Sequence, residues 1–256
     1  MQGALFRECC AKREVRMEPK DRIIVALDTS DRGTALRWAE QLAGTVGAVK
    51  VGLELVNAVG FGVLDDLRDA GCGRIFYDAK LHDIPNTVAG ACRSIGRRGL
   101  WMTNVHACGG ARMIKAAADA LTKTAADAGT DAPLLVAVTL LTSLSPLEAT
   151  EELLLNLPPA DYVPAMARLA RNAGAQGVVA SPREIEAIRW ACGPDFLIVT
   201  PGVRPAWSDA GDQRRTATPA EAVRMGADYL VIGRPITGAA DAAIAAVRIA
   251  DEIAQG

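Results

Sequence analysis

The chain has 256 residues, half of them hydrophobic and 23% charged, which is enough to bury a large core in one α/β domain. Its 28 basic and 30 acidic residues leave a formal charge of −2, and aromatic residues make up only 4%, so neither nucleic acid nor an anionic membrane is expected as a partner. No uninterrupted apolar run approaches the ~18 residues of a membrane-spanning helix.

Met1–Lys20 mix Arg7, Glu8, Lys12, Arg13, Glu14 and Arg16 without the apolar stretch of a signal peptide. They read as a frayed extension, with Met17 as a candidate start, ahead of a single domain over residues 21–256. From Arg22 onward two textures alternate. β-rich runs recur at Ile23–Leu27, Val46–Leu55, Arg74–Asp78, Met102–His106, Leu134–Leu140, Gly177–Ala180, Leu197–Thr200 and Tyr229–Ile232. Amphipathic segments lie between and after them, at Thr34–Leu42, Gly62–Ala70, Val88–Arg98, Gly110–Ala126, Tyr162–Ala173, Arg183–Trp190, Pro219–Met225 and Ala239–Ile253. Several β-runs are continuously apolar, as strands buried on both faces are. Eight such pairs predict an α/β chain folded as a (β/α)8 TIM barrel. A doubly wound open sheet competes, but the first run ends in Leu27-Asp28-Thr29-Ser30, without that fold's usual glycine fingerprint. Leu147–Pro164 is the least regular connection, punctuated by Pro146, Pro158, Pro159 and Pro164, and is expected to hold a helix and a loop over the fifth strand.

The six cysteines (Cys9, Cys10, Cys72, Cys92, Cys108 and Cys192) form no Cys-x-x-Cys pair, and no histidine stands at ligand spacing from them. A zinc site is therefore not expected. The irregular spacing fits the reducing cytoplasm, with Cys72, Cys92 and Cys192 packing as small hydrophobes.

Chemistry concentrates in Phe76-Tyr77-Asp78-Ala79-Lys80-Leu81-His82-Asp83-Ile84-Pro85-Asn86-Thr87. Asp78 and Lys80, two apart, face one side of a strand. Asp83 follows after the strand should have ended. Lys50, within Ala48-Val49-Lys50-Val51-Gly52, is costly in so apolar a run unless paired. It either snorkels to solvent or pairs with its near neighbours or with Asp78, placed on the next strand but one. In the second case Lys50, Asp78, Lys80 and Asp83 form an alternating chain of charge that keeps both lysines protonated and both carboxylates ionised. Lys80 then serves as a general acid, and Asp78 presents negative charge to a bound anion.

In a barrel the chemistry belongs at the C-terminal ends of the strands. The polar residues there are Asp28, Lys50, Asp78 with Lys80, His106, Thr139 or Thr142, Ser181, Arg204 and Gly233-Arg234. Gly233-Arg234, ahead of a helical pattern, suits a phosphate: glycine admits the backbone, the helix start adds partial positive charge and arginine clamps. Arg204 can face the same phosphate. Residues 206–216 read as a lid or as an ordinary solvated loop. His82 and His106, the only histidines, make no metal site by themselves, and His106 is either a hydrogen-bonded barrel residue or a catalyst. No Ser-His-Asp arrangement or Gly-x-Ser-x-Gly elbow is present.

The decapeptide Asp78–Thr87 resembles the signature of the orotidine 5′-phosphate decarboxylase family. The resemblance continues through Val25-Ala26-Leu27-Asp28, Val49-Lys50-Val51-Gly52, Asn104-Val105-His106-Ala107, Val138–Ser143, Val179-Ala180-Ser181-Pro182, Thr200–Pro205, Gly211–Arg215 and Gly233–Thr237. It implies a TIM barrel that dimerises with its active sites at the interface. It also implies conversion of orotidine 5′-monophosphate to uridine 5′-monophosphate and CO₂ in pyrimidine synthesis, without metal or organic cofactor. Carried over by motif, Asp28 and Lys50 contact the ribose hydroxyls, Asp78 faces the departing carboxylate and Lys80 delivers a proton to C6. Asp83 and Thr87 reach the neighbouring subunit's site, and Thr142 and Ser143 address the base. Arg204, Gln213, Gly233 and Arg234 hold the phosphate and close the lid. Ala79 replaces a larger apolar residue and is expected to point away from the ligand.

A related barrel family, the Mg²⁺-dependent ketogulonate-phosphate decarboxylases and hexulose-phosphate synthases, shares Asp-x-Lys-x-x-Asp but places a carboxylate at the end of the second strand. Here that place is Lys50, with Glu54 further on. A barrel that only binds a nucleotide is the remaining alternative.

Overall fold

The computed structural model describes residues 17–207 and 217–256. The described residues contain eight parallel strands: β1 (Ile23–Ala26), β2 (Ala48–Val51), β3 (Ile75–Leu81), β4 (Met102–His106), β5 (Leu134–Val138), β6 (Gly177–Val179), β7 (Leu197–Pro201) and β8 (Tyr229–Ile232). They pair in chain order, and β8 returns to β1 through Ile24 opposite Val231, closing the barrel. Outside lie α1 (Arg32–Leu42), α2 (Leu53–Val59), α3 (Val63–Asp69), α4 (Pro85–Gly96), α5 (Gly110–Ala128), α6 (Pro146–Glu151), α7 (Pro159–Asn172), α8 (Ile185–Cys192), α9 (Pro219–Met225), α10 (Arg234–Thr237) and α11 (Ala242–Gln255). The architecture is the expected (β/α)8 barrel.

Local chemistry starts the helices where the strands release the chain. Asp31 accepts the Thr34 N–H at 2.7 Å and caps α1; Asp241 accepts the Ile244 N–H at 2.9 Å and caps α11. Ser145 with Glu148 and Thr218 with Glu221 form capping boxes, each followed by a proline at the first helical position.

Alternate residues of each strand face opposite ways, and both faces are buried. Val25, Val49, Val51, Tyr77 and Val105 pack outward against the helices. Ile24, Ala48, Phe76, Met102, Val136, Leu197, Val199 and Tyr229 fill the barrel interior. Two residues further along β1 to β4 the interior positions are Ala26, Lys50, Asp78 and Asn104. The plug of the barrel thus changes from hydrocarbon to charge and amide within one layer, at the C-terminal mouth.

Several boundaries differ from the sequence reading, three of them by more than a trimmed or extended end. The run Val46–Leu55 is a strand only over Ala48–Val51, because Gly52 starts α2 in an extended conformation and turns Leu55 and Val56 into the core. Pro164 does not end a connection but lies inside α7, where its missing N–H removes a single bond near the helix start. Met17–Lys20, assigned to the frayed extension, already belong to the fold: Met17 packs against the barrel interior and Pro19–Arg22 form a 3₁₀ turn. The rest of that extension lies outside the described residues. The expected helix and loop between β5 and α7 are α6 and the residues after it.

Candidate active site

A cavity of about 320 Å³ opens at the C-terminal mouth of the barrel. Asp28, Lys50, Asp78, Lys80, Thr142, Arg204, Gly233 and Arg234 all line it, so eight of the residues singled out from the sequence converge from β1, β2, β3, β5, β7 and β8.

One side of the cavity is a chain of alternating charges. Lys50 Nζ lies 3.0 Å from Asp28 Oδ1 and 3.2 Å from Asp78 Oδ2, and Lys80 Nζ lies 2.8 Å from the same Asp78 oxygen. Lys50 and Asp78 are 8% and 7% exposed, so each needs the other. Burial pulls the Lys50 ammonium down, but the charges of Asp78 and Asp28 outweigh it and leave Lys50 raised above its ordinary value. Burial pushes Asp78 up, but Lys50, then Lys80, and hydrogen bonds from Lys80 and Asn104 outweigh it and hold the carboxyl below its ordinary value. Both groups are charged at neutral pH. The snorkelling alternative for Lys50 is overturned. Its partner Asp78 stands on the adjacent strand, not the next but one, because β2 and β3 pair directly.

Asp78 and Lys80 meet by a route that simple strand alternation does not give. Tyr77 pairs with Thr103 and Leu81 with Val105, so Asp78, Ala79 and Lys80 lie together opposite Asn104. This bulge is accommodated by Lys80 at φ 46°, in the left-handed region that side chains other than glycine's rarely adopt. Ala79 is buried in the outer core and does not line the cavity, as expected. Asn104, fully buried and given no role by the sequence reading, accepts the Lys80 N–H at 2.7 Å and donates to Asp78 Oδ1 at 2.6 Å. Its signal was an amide inside the β-run Met102–His106, a residue type rarely buried in a strand without a specific bond.

Asp83 is not a link in the charge chain, contrary to the tetrad read from spacing. It follows the end of β3, is exposed, and accepts the N–H of Ile84 at 2.6 Å; Asp28 takes the fourth place instead. Thr87 is exposed on the first turn of α4 and also lies off the cavity. Ser143 lines a second hollow that adjoins the first and shares Thr142, Gly202 and Arg234 with it. Thr139 is buried and donates its hydroxyl to the Val179 carbonyl, and Ser181 caps the turn at Pro182–Glu184, so both serve the scaffold.

His106 stacks obliquely on His82 at 5.6 Å between ring centroids and does not line the cavity. Burial lowers its pKa, and His82 and Lys80 lower it further, so it is neutral at pH 7. Arg204 and Arg234 face the charge chain from β7 and β8. The helix after Gly233 has only four residues, so the arginine rather than a helix dipole supplies the positive charge there. Gln213 lies outside the described residues, as does most of the expected lid. The Arg204 N–H donates to the Ala217 carbonyl at 3.0 Å where the described chain resumes. Among the described residues no group of three His, Cys, Asp or Glu side chains is placed to hold a metal ion, and no helix is long and apolar enough to cross a membrane.

A closed (β/α)8 barrel with a lysine–carboxylate chain and two arginines at its C-terminal mouth defines a TIM-barrel protein with a charged cavity at the end where such barrels carry their sites. The chain belongs to the orotidine 5′-phosphate decarboxylase / HUMPS family, whose model matches residues 21–249. It is 54% identical over 239 residues to an orotidine 5′-phosphate decarboxylase of Moorella thermoacetica, covering 93% of this chain and 94% of that protein. It is 51% identical over 231 residues to one of Paramagnetospirillum magneticum, covering 90% and 97%. The crystal structure of orotidine 5′-phosphate decarboxylase from Lactobacillus acidophilus superposes with a TM-score of 0.80 at 39% identity, covering 90% of this chain and 98% of that one.

Proposed function

We propose that this protein decarboxylates orotidine 5′-monophosphate to uridine 5′-monophosphate and CO₂, the step of pyrimidine synthesis that makes UMP. The observation that carries the reading is the Asp28–Lys50–Asp78–Lys80 chain facing Arg204 and Arg234 across one cavity. The arginines hold the phosphate, and Asp28 and Lys50 hold the ribose hydroxyls. The base lies toward Thr142 and Ser143, with its carboxylate against Asp78 and C6 near Lys80. The bond from C6 to the carboxylate carbon breaks, and its electron pair stays on C6. The Lys80 ammonium stabilises that charge as it develops and gives up its proton to C6. Asp78 opposes the ground-state carboxylate and, with Lys50, keeps Lys80 in place. Phosphate binding far from C6 supplies energy for closing the site.

Asp83 and Thr87 serve the site of a second copy in a homodimer, a reading supported by their exposure just past the end of β3. The cytoplasm is the proposed compartment, supported by Cys72, Cys92 and Cys192 standing buried and unpaired. Burial pushes the Cys72 thiol up to about 11 and the Cys92 thiol to about 12, so neither is a reactive thiolate.

The family description also covers the HUMPS proteins. In a Mg²⁺-dependent reaction Asp28 and Asp78 would be the natural oxygen ligands, but here Lys50 holds both. Glu54 lies on α2, away from the cavity. The test is the loss of orotidine 5′-monophosphate absorbance with purified protein, with and without excess EDTA. Turnover that persists in EDTA supports the proposal. No turnover, or turnover that needs Mg²⁺, refutes it.

A further inference from the structure

We infer that Asn104 is a positioning residue for the reaction, holding the Asp78 carboxylate and the Lys80 backbone in the one arrangement that aims Lys80 into the cavity. The inference rests on the function proposed above.

Three residues of β3 face one residue of β4, so the ladder between the strands is interrupted where the chemistry lies. A backbone N–H freed in a buried bulge needs an acceptor. The Lys80 N–H finds it in the Asn104 side-chain oxygen at 2.7 Å. The same amide donates to Asp78 Oδ1 at 2.6 Å, leaving Oδ2 to both lysines. Because one end of the amide must accept and the other must donate, its orientation is determined by its partners. Asn104 joins the Asp78 side chain to the Lys80 backbone, the two residues on which the proposed proton delivery depends, and it does so where Lys80 sits at φ 46°.

The charged and titratable groups that bear on Asp78 are Lys50 from β2, Lys80 on its own strand and His106 from β4, with Asp28 behind Lys50. Two variants separate the roles of Asn104. Asn104→Ala removes both bonds. Asn104→Asp keeps the shape and the acceptor for Lys80, but sets a second carboxylate against Asp78, and two carboxylates so close share a proton.

With Asn104→Ala, kcat is expected to fall roughly 10- to 100-fold, as for loss of a hydrogen bond to a charged group. Binding of uridine 5′-monophosphate, gripped at its far end by Arg204 and Arg234, changes by no more than a few-fold. With Asn104→Asp the acid limb of the kcat profile moves to higher pH. The Asp78 carboxyl, followed by ¹³C NMR titration, titrates higher than in the wild type in both variants. That titration does not depend on turnover, so it tests Asn104 even if the wild-type protein fails to decarboxylate orotidine 5′-monophosphate, which would sink the functional proposal alone. Folded variants with kcat within twofold of wild type and an unmoved Asp78 titration overturn the inference. So does a loss in which kcat and nucleotide binding fall together with the melting temperature.

Discussion

Replacing Lys80 with alanine separates chemistry from binding and from folding. The ammonium is asked to do two things, stabilise charge at C6 and deliver a proton. General acid catalysis contributes ~10²–10⁴ and a preorganised charge ~10²–10³, so turnover should fall by at least ~10⁴-fold. The fold should tolerate the change. Asp78 keeps Lys50 at 3.2 Å and Asn104 at 2.6 Å, so no buried charge is orphaned, and a third of the Lys80 side chain is exposed. Uridine 5′-monophosphate, held by the arginines, should bind within a few-fold of wild type. The backbone adds an independent check. A residue with a Cβ in the left-handed region costs roughly 1–2 kcal/mol, whereas glycine pays only ~0.5–1 kcal/mol in chain entropy. Lys80→Gly should therefore be as inactive as Lys80→Ala but more stable by ~1 kcal/mol, or about 2–4 °C in Tm for a chain of this size. Absorbance assays, calorimetric titration with the product and thermal melts read these quantities. Near-normal turnover in Lys80→Ala refutes the assigned chemistry, and a glycine variant no more stable than the alanine variant refutes the strain at φ 46°.

Removing Asp78 as Asn should destabilise by ~3 kcal/mol, the low end for breaking a buried pair, because Lys50 retains Asp28. The folded Asp78 carboxyl lies below its ordinary value of 3.8, so its ionisation stabilises fully above that value, and the benefit is lost as pH falls through the folded value. The Tm gap between wild type and Asp78→Asn should accordingly be level through neutral pH and close only in acid; a gap that closes near neutrality would contradict the depressed value. Arg234→Ala should raise KM roughly 10- to 100-fold, the cost of one charged hydrogen bond, with a smaller effect on a substrate lacking the phosphate; equal effects on both substrates would remove Arg234 from the phosphate. Mixing Lys80→Ala and Asp83→Ala subunits should restore activity to about a quarter of the sites, because half of randomly formed C2 dimers are mixed and each has one intact site. No recovery after demonstrated subunit exchange would mean that Asp83 does not act across an interface.

Much of the barrel and many of the residues that line its cavity were legible in the chain itself. Repeated apolar runs separated by amphipathic segments carry the period of buried strands and covering helices, and that pattern is local. The polar residues at strand ends stood out as well: Lys50 in Ala-Val-Lys-Val because burial without a partner is costly, and Gly233-Arg234 after Val-Ile because a glycine and an arginine at the end of the last strand suit a phosphate. What spacing could not supply was which charges touch. It enrolled Asp83 in the tetrad because Asp83 is near in sequence, whereas Asp28, 22 residues before Lys50, is the group that the pairing of β1 with β2 brings within 3.0 Å. Nor does alternation reveal that Asp78, Ala79 and Lys80 share one partner on β4, which bends Lys80 into a left-handed conformation and makes Asn104 its acceptor. The cluster at Asp78–Lys80 is therefore written in the sequence as composition, but its geometry belongs to the closed sheet. Strand order and register decide which side chains share a layer, and those are properties of the whole barrel rather than of any one segment.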